Sequence, residues 1–128
     1  MIVLDAAALV DTVLDQPARS WVLDQLAGQQ VCAPAHQPAE VASAVARLQR
    51  AGAITAKVAR DALREAAALP QELVLPGGAL LLRALDLQNR IRVLDGLYVA
   101  LAEERQCPLV TTDLRLARAS PTCELRSP

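Results

Sequence analysis

Four short, mostly apolar stretches recur along the chain, at Ile2–Leu4 and at 31–33, 72–75 and 109–111, and none alternates apolar with polar residues. A strand with one wet face reads with period two, whereas a strand buried on both faces reads as an unbroken apolar run. Segments of helical periodicity separate the runs. Doubly buried strands alternating with helices imply a short central parallel sheet covered on both faces, a three-layer α/β/α sandwich. A length of 128 residues suits a single domain over 1–128, whose core needs no covalent or metal staple.

The connecting segments have recognisable ends. Residues 6–14 are helix-forming, and Pro17 starts a second helix in which Ala18, Trp21, Val22, Gln25 and Leu26 share a face and which Gly28 closes. A helix over 38–51, capped by Gly52, and another over 55–69 read as a helical hairpin. Gly77 and Gly78 make a turn, residues 79–87 a Leu-rich helix, and residues 89–92 a polar connection. The strongest helix spans 93–105, with Leu94, Leu97, Tyr98 and Leu101 as its apolar stripe. A short helix over 114–118 and an edge strand over 123–126 complete the chain.

Composition removes several functions. Hydrophobic residues at 53% and charged residues at 21% exclude a disordered chain. Thirteen basic against fourteen acidic residues, net charge −1, argue against a coat for polyanions or a polybasic membrane binder, but leave room for a local basic patch. The only lysine is Lys57, and Trp21 and Tyr98 are the only Phe, Trp or Tyr residues, so base-stacking platforms are absent. Cys32, Cys107 and Cys123 are scattered and His36 is the sole histidine, which excludes a zinc site of Cys/His type. His36 is expected in a loop without a role. No targeting segment or membrane span is apparent, and a cytoplasmic protein is expected.

Four acids sit where acids are unusual. Asp5 follows Ile2-Val3-Leu4, Glu40 lies among Pro38, Ala39, Val41 and Ala42, Asp95 interrupts Val93-Leu94 and Gly96-Leu97, and Asp113 follows Leu109-Val110-Thr111-Thr112. Asp5 and Asp113 fall just past strand ends; Glu40 and Asp95 fall in first turns of helices. In an open parallel sheet, sites form outside the carboxyl ends of strands. Four carboxylates in one cleft repel one another, and a hard divalent cation, Mg²⁺ or Mn²⁺, resolves that conflict. Each acid also has an ordinary reading: Asp5 and Asp113 suit helix caps, Glu40 and Asp95 suit the helix dipole. On the 93–105 helix, Asp95, Val99 and Ala102 share a stripe, so the carboxylate is expected to point inward.

With those residues identified, the chain resembles the PIN-domain ribonucleases, specifically the VapC toxins of bacterial toxin–antitoxin pairs. Ile2-Val3-Leu4-Asp5-Ala6, Pro38-Ala39-Glu40-Val41, the run from Leu94-Asp95-Gly96 to Ala102, and Pro108-Leu109-Val110-Thr111-Thr112-Asp113 resemble the family's four motifs in order. The resemblance implies that Asp5, Glu40, Asp95 and Asp113 bind Mg²⁺ or Mn²⁺ and carry catalysis with Thr111. It also implies hydrolysis of RNA phosphodiester bonds, a cognate antitoxin and a homodimer. Leu9, Val13, Trp21 and Leu26 are the apolar residues expected to exceed the needs of the core and to serve that dimer. Arg90, Arg92, Arg115 and Arg118 flank the acids and are the candidate RNA contacts.

Two positions depart from the family pattern. Ala7 stands where a Ser or Thr is usual, and Arg115 where some relatives carry a further acid, so one or two metals remain open. A catalytically inactive PIN-like interaction module is the alternative that Ala7 raises. A phosphoacceptor receiver domain would need an acid beside Asp5 and a lysine after a late strand. A dinucleotide fold would need G-x-G-x-x-G after the first strand. The sequence has none of these.

Overall fold

The computed structural model describes residues 1–119 and 121–128. Strands β1 (Ile2–Leu4), β2 (Val31–Pro34), β3 (Glu72–Val74), β4 (Leu109–Val110) and β5 (Leu125–Arg126) form one sheet in the order β3-β2-β1-β4-β5. Every pairing is parallel; Val3 and Leu4 of β1 lie beside Leu109 and Val110 of β4. Helices α1 (Ala6–Val13) and α2 (Arg19–Leu26) connect β1 to β2, and α3 (Gln37–Arg50) and α4 (Ala56–Ala68) connect β2 to β3. Helices α5 (Gly78–Asp86) and α6 (Val93–Arg105) lead to β4, and α7 (Leu114–Arg118) leads to β5.

The order reverses direction between β1 and β4. Crossovers between parallel strands are right-handed, so connections running outward from β1 to β3 and those running back to β4 and β5 cover opposite faces. This gives the expected sandwich, with α1–α4 on one face and α5–α7 on the other. Val3, Leu4, Leu109 and Val110 are fully buried, as strands covered on both sides must be.

Local chemistry sets the element ends. Thr55 caps α4 by accepting the Val58 N–H at 3.2 Å. Gly28 and Gly52, at φ +71 and +75, turn the chain out of α2 and α3 in the left-handed region that glycine tolerates. Helix α2 begins at Arg19 rather than at Pro17, because Asp15 at φ +53 turns the chain and Gln16 accepts the Arg19 N–H before the helix starts.

The surplus apolar surface is not where the sequence placed it. Leu9 is buried in the core, and Val13, Trp21 and Leu26 pack against it. The exposed large apolar side chains include Leu81, Leu82 and Leu85 on α5 and Leu73 and Leu75 at β3. Among the described residues, no helix is long and apolar enough to cross a membrane.

Candidate active site

The reversal between β1 and β4 opens a crevice at the carboxyl ends of both strands, the usual ligand position in such a sheet. Asp5, Glu40, Asp95 and Asp113 all line one pocket there, of about 240 Å³. Four acids spread over more than 100 residues of chain are thus brought together. Ala7, Asp11, Arg47, Arg92 and Arg115 also face this pocket.

Asp5 occupies the N-cap position of α1, yet its side chain caps nothing. Its carboxylate instead accepts the Thr111 hydroxyl at 2.5 Å, and the same hydroxyl accepts the Asp113 N–H at 3.0 Å. Thr111, itself fully buried, therefore ties the ends of β1 and β4 together. Burial pushes the Asp5 carboxyl up to about 7; the Thr111 bond opposes that rise and the nearby charges of Asp95 and Glu40 add to it.

Asp113 does cap its helix, accepting the Arg115 N–H at 2.8 Å, and the Arg115 guanidinium lies 3.4 Å from its other oxygen. Partial burial would raise its pKa, but these hydrogen bonds and the guanidinium outweigh burial and hold it below the usual range. Asp95, half-buried in the first turn of α6, is gripped by Arg92 at 3.0 and 3.4 Å. Gly96 beside it lets α6 approach α5: a Cβ there would stand 3.4 Å from the Ala84 backbone.

Glu40 is held by residues whose roles the sequence did not disclose. The Tyr98 hydroxyl donates to Glu40 Oε1 at 2.7 Å, and His36 Nε2 lies 3.1 Å from the same oxygen while donating to the Leu94 carbonyl at 3.0 Å. The His36 and Tyr98 rings meet edge to face, 5.1 Å between centroids. Partial burial raises the Glu40 pKa, but the hydrogen bonds from His36 and Tyr98 outweigh it and the net shift is downward. Helical spacing is the signal that could have found these residues. His36 lies four residues before Glu40, Tyr98 three after Asp95, and Arg47 seven after Glu40.

Of the arginines expected near the acids, Arg92 and Arg115 line the acid pocket and Arg90 a smaller one alongside; Arg118 lines neither. The acids face one pocket without closing on one point. Among the described residues no three His, Cys, Asp or Glu side chains are grouped tightly enough to hold an ion, and Asp95 and Asp113 are each turned to a guanidinium.

The PIN-domain family model matches residues 2–120. The chain belongs to the PIN-domain family. Among similar proteins, Ribonuclease VapC3 of Mycobacterium tuberculosis is 44% identical over 124 residues, covering 94% of this PIN domain and 88% of that protein. Two solved structures share the fold. The M. tuberculosis VapC20 structure, described as a sarcin-ricin loop cleaving toxin, superposes with TM-score 0.69 at 13% identity, covering 95% of this chain and 97% of its own. That of VapBC2 from Rickettsia felis, bound to a promoter DNA fragment, gives TM-score 0.69 at 17% identity and covers 99% and 98%.

Proposed function

We propose that this chain is a Mg²⁺- or Mn²⁺-dependent endoribonuclease and the toxin of a toxin–antitoxin pair. The observation that carries the reading is Asp5. Its carboxylate is buried at a sheet switch point, caps no helix, and shares its pocket with four further carboxylates, Asp11, Glu40, Asp95 and Asp113. Buried like charges without a cation are costly, and an all-oxygen donor set fits a hard divalent ion. Relatives named ribonuclease, matched along nearly the whole chain, supply the substrate class.

In this reading Asp5, Glu40, Asp95 and Asp113 hold the ion. When bound, it supplies a water acidified toward neutral pH and a polarising contact for a phosphoryl oxygen. The protein's own groups prepare that position. Thr111 orients Asp5, Tyr98 and His36 orient Glu40, and Arg92 and Arg115 hold the carboxylates of Asp95 and Asp113 in place. Neighbouring structures with VapBC components support a cognate antitoxin as partner, and a homodimer belongs to the same proposal.

The test is a labelled RNA incubated with the purified chain. Cleavage in Mg²⁺ or Mn²⁺, abolished by EDTA and by Asp5→Asn, is the expected result. Expression alone should arrest growth, co-expression of the antitoxin should relieve it, and sedimentation should show a dimer. A folded chain that binds the antitoxin but cuts no RNA in either ion would leave only the interaction module.

A further inference from the structure

A second cavity, of about 510 Å³, adjoins the acid pocket and shares Glu40, Arg47, Arg92 and Arg115 with it. His36, Ala39, Ser43 and Leu94 complete its lining, and Asp5 is not part of it. The three guanidiniums come from α3, from the residue preceding α6 and from α7, so the polar face of one helix does not account for their meeting. Glu40, Ser43 and Arg47 follow one another at i, i+3 and i+7 and share a face of α3.

The arginines differ in their commitments. Arg92 and Arg115 each lean on a carboxylate. Arg47, exposed, has neither an ion pair nor a side-chain hydrogen bond among the described residues; Arg50, Arg60, Arg90 and Arg118 share that lack, but of the five Arg47 alone lines this cavity. A free guanidinium at the wall of an open cleft is a ready anion ligand, since its planar fork matches two phosphate oxygens at once. Leu94, 49% exposed, supplies an apolar wall beside it.

We propose that this cavity seats one nucleotide of the RNA strand next to the cleaved linkage. Its phosphate is held by Arg47 together with Arg92 and Arg115, and its base lies against Leu94. This rests on the ribonuclease reading for its substrate class. Arg47 is the anchor, because it gives up no carboxylate to bind phosphate. The local guanidinium cluster also explains how a chain of net charge −1 holds a polyanion.

The experiment measures binding and cutting separately. A fluorescein-labelled single-stranded oligoribonucleotide is titrated with the full chain in EDTA across a salt series, for wild type, Arg47→Gln and Arg47→Lys. Arg47→Gln should weaken binding at low salt and lower the slope of log K against log salt by about 0.7, the loss of one phosphate contact on a single strand. Arg47→Lys should keep most of the slope. In Mg²⁺, Arg47→Gln should raise KM for cleavage with little change in kcat. Wild-type binding by Arg47→Gln at every salt concentration would overturn the subsite; if wild type still cuts RNA, the ribonuclease reading stands without it. Arg47-dependent RNA binding with no cleavage in Mg²⁺ or Mn²⁺ would remove that reading and keep the subsite. No RNA binding by wild type in EDTA would remove the subsite, and with no cleavage in Mg²⁺ or Mn²⁺ either it would remove both.

Discussion

Asp95 meets Arg92 across a partly solvated ion pair, and the guanidinium is 68% exposed. Pairs of that kind contribute about 0–1 kcal/mol, so Asp95→Asn should unfold within about 1 kcal/mol of wild type, or gain stability where repulsion from Asp5 and Glu40 is relieved. If Asp95 served only the helix dipole, RNA cleavage would be as little affected as stability. As an ion-holding carboxylate its loss should cost about 100-fold or more, beyond the cost of removing supporting residues around a metal. Unfolding in EDTA and cleavage in Mg²⁺, on one preparation, separate the two. The four acids were legible because each interrupts sequence that otherwise reads as core. The residues that hold them were not. His36, expected alone in a loop, acquires meaning only once α3 places it one turn from Glu40, and Tyr98 reads as core because its ring is core while its hydroxyl is not.

At the level of elements, the site depends on how α6 is seated. Its flank against α5 relies on Gly96, where a Cβ would come 3.4 Å from Ala84. Gly96→Ala should be tolerated, since contact at that distance is offset by better helix propensity. Gly96→Val should cost about 1–3 kcal/mol by overpacking, and tilt Asp95 away from the pocket. Denaturant melts of both variants would check this, and equal stability would show that α5 yields. On the other flank, Tyr98→Phe removes a buried hydroxyl from an ionised Glu40, worth about 1.5–3 kcal/mol, and should raise the Glu40 pKa. Titration of the Glu40 carboxyl by NMR reads the shift, and an unmoved pKa would leave His36 as its main support. The alternation of strands and helices was legible because doubly buried strands and capped helices carry distinct patterns. The start of α2 was not, because a left-handed Asp15 has no signature in composition. The residues expected to exceed the core were harder to place for a related reason: apolar periodicity marks the face a helix buries but not what buries it, and here the core takes Leu9 while Val13, Trp21 and Leu26 pack partly buried against it.

For the molecule as a whole, the site opposes the fold, and pH exposes the conflict. Asp5 rises from 3.8 to about 7 when folded, chiefly through burial. A carboxyl whose folded pKa exceeds its unfolded value binds its proton more tightly in the folded state. The stability this contributes is complete below the unfolded value and is lost as pH rises through the folded one. Glu40 and Asp113 are shifted downward, so their contributions are present above the ordinary carboxylate range and vanish only as pH falls below it. Between pH 5 and pH 8 Asp5 therefore sets the slope. In EDTA, stability should fall as pH rises through that window, by about 3 kcal/mol at 1.36 kcal/mol per unit over the roughly two units below the folded value. Asp5→Asn, which cannot ionise, should flatten the profile. Mg²⁺ should reverse the loss at pH 8, adding about 2.7 kcal/mol at a hundredfold excess over Kd, and should do far less at pH 5, where Asp5 holds a proton instead. Urea melts of wild type and Asp5→Asn at both pH values, with and without Mg²⁺, give all the terms. A wild-type profile that is flat or rising in EDTA, or one that overlays the Asn variant, would mean that the Asp5 carboxylate is not under strain and that the pocket has no need of a cation.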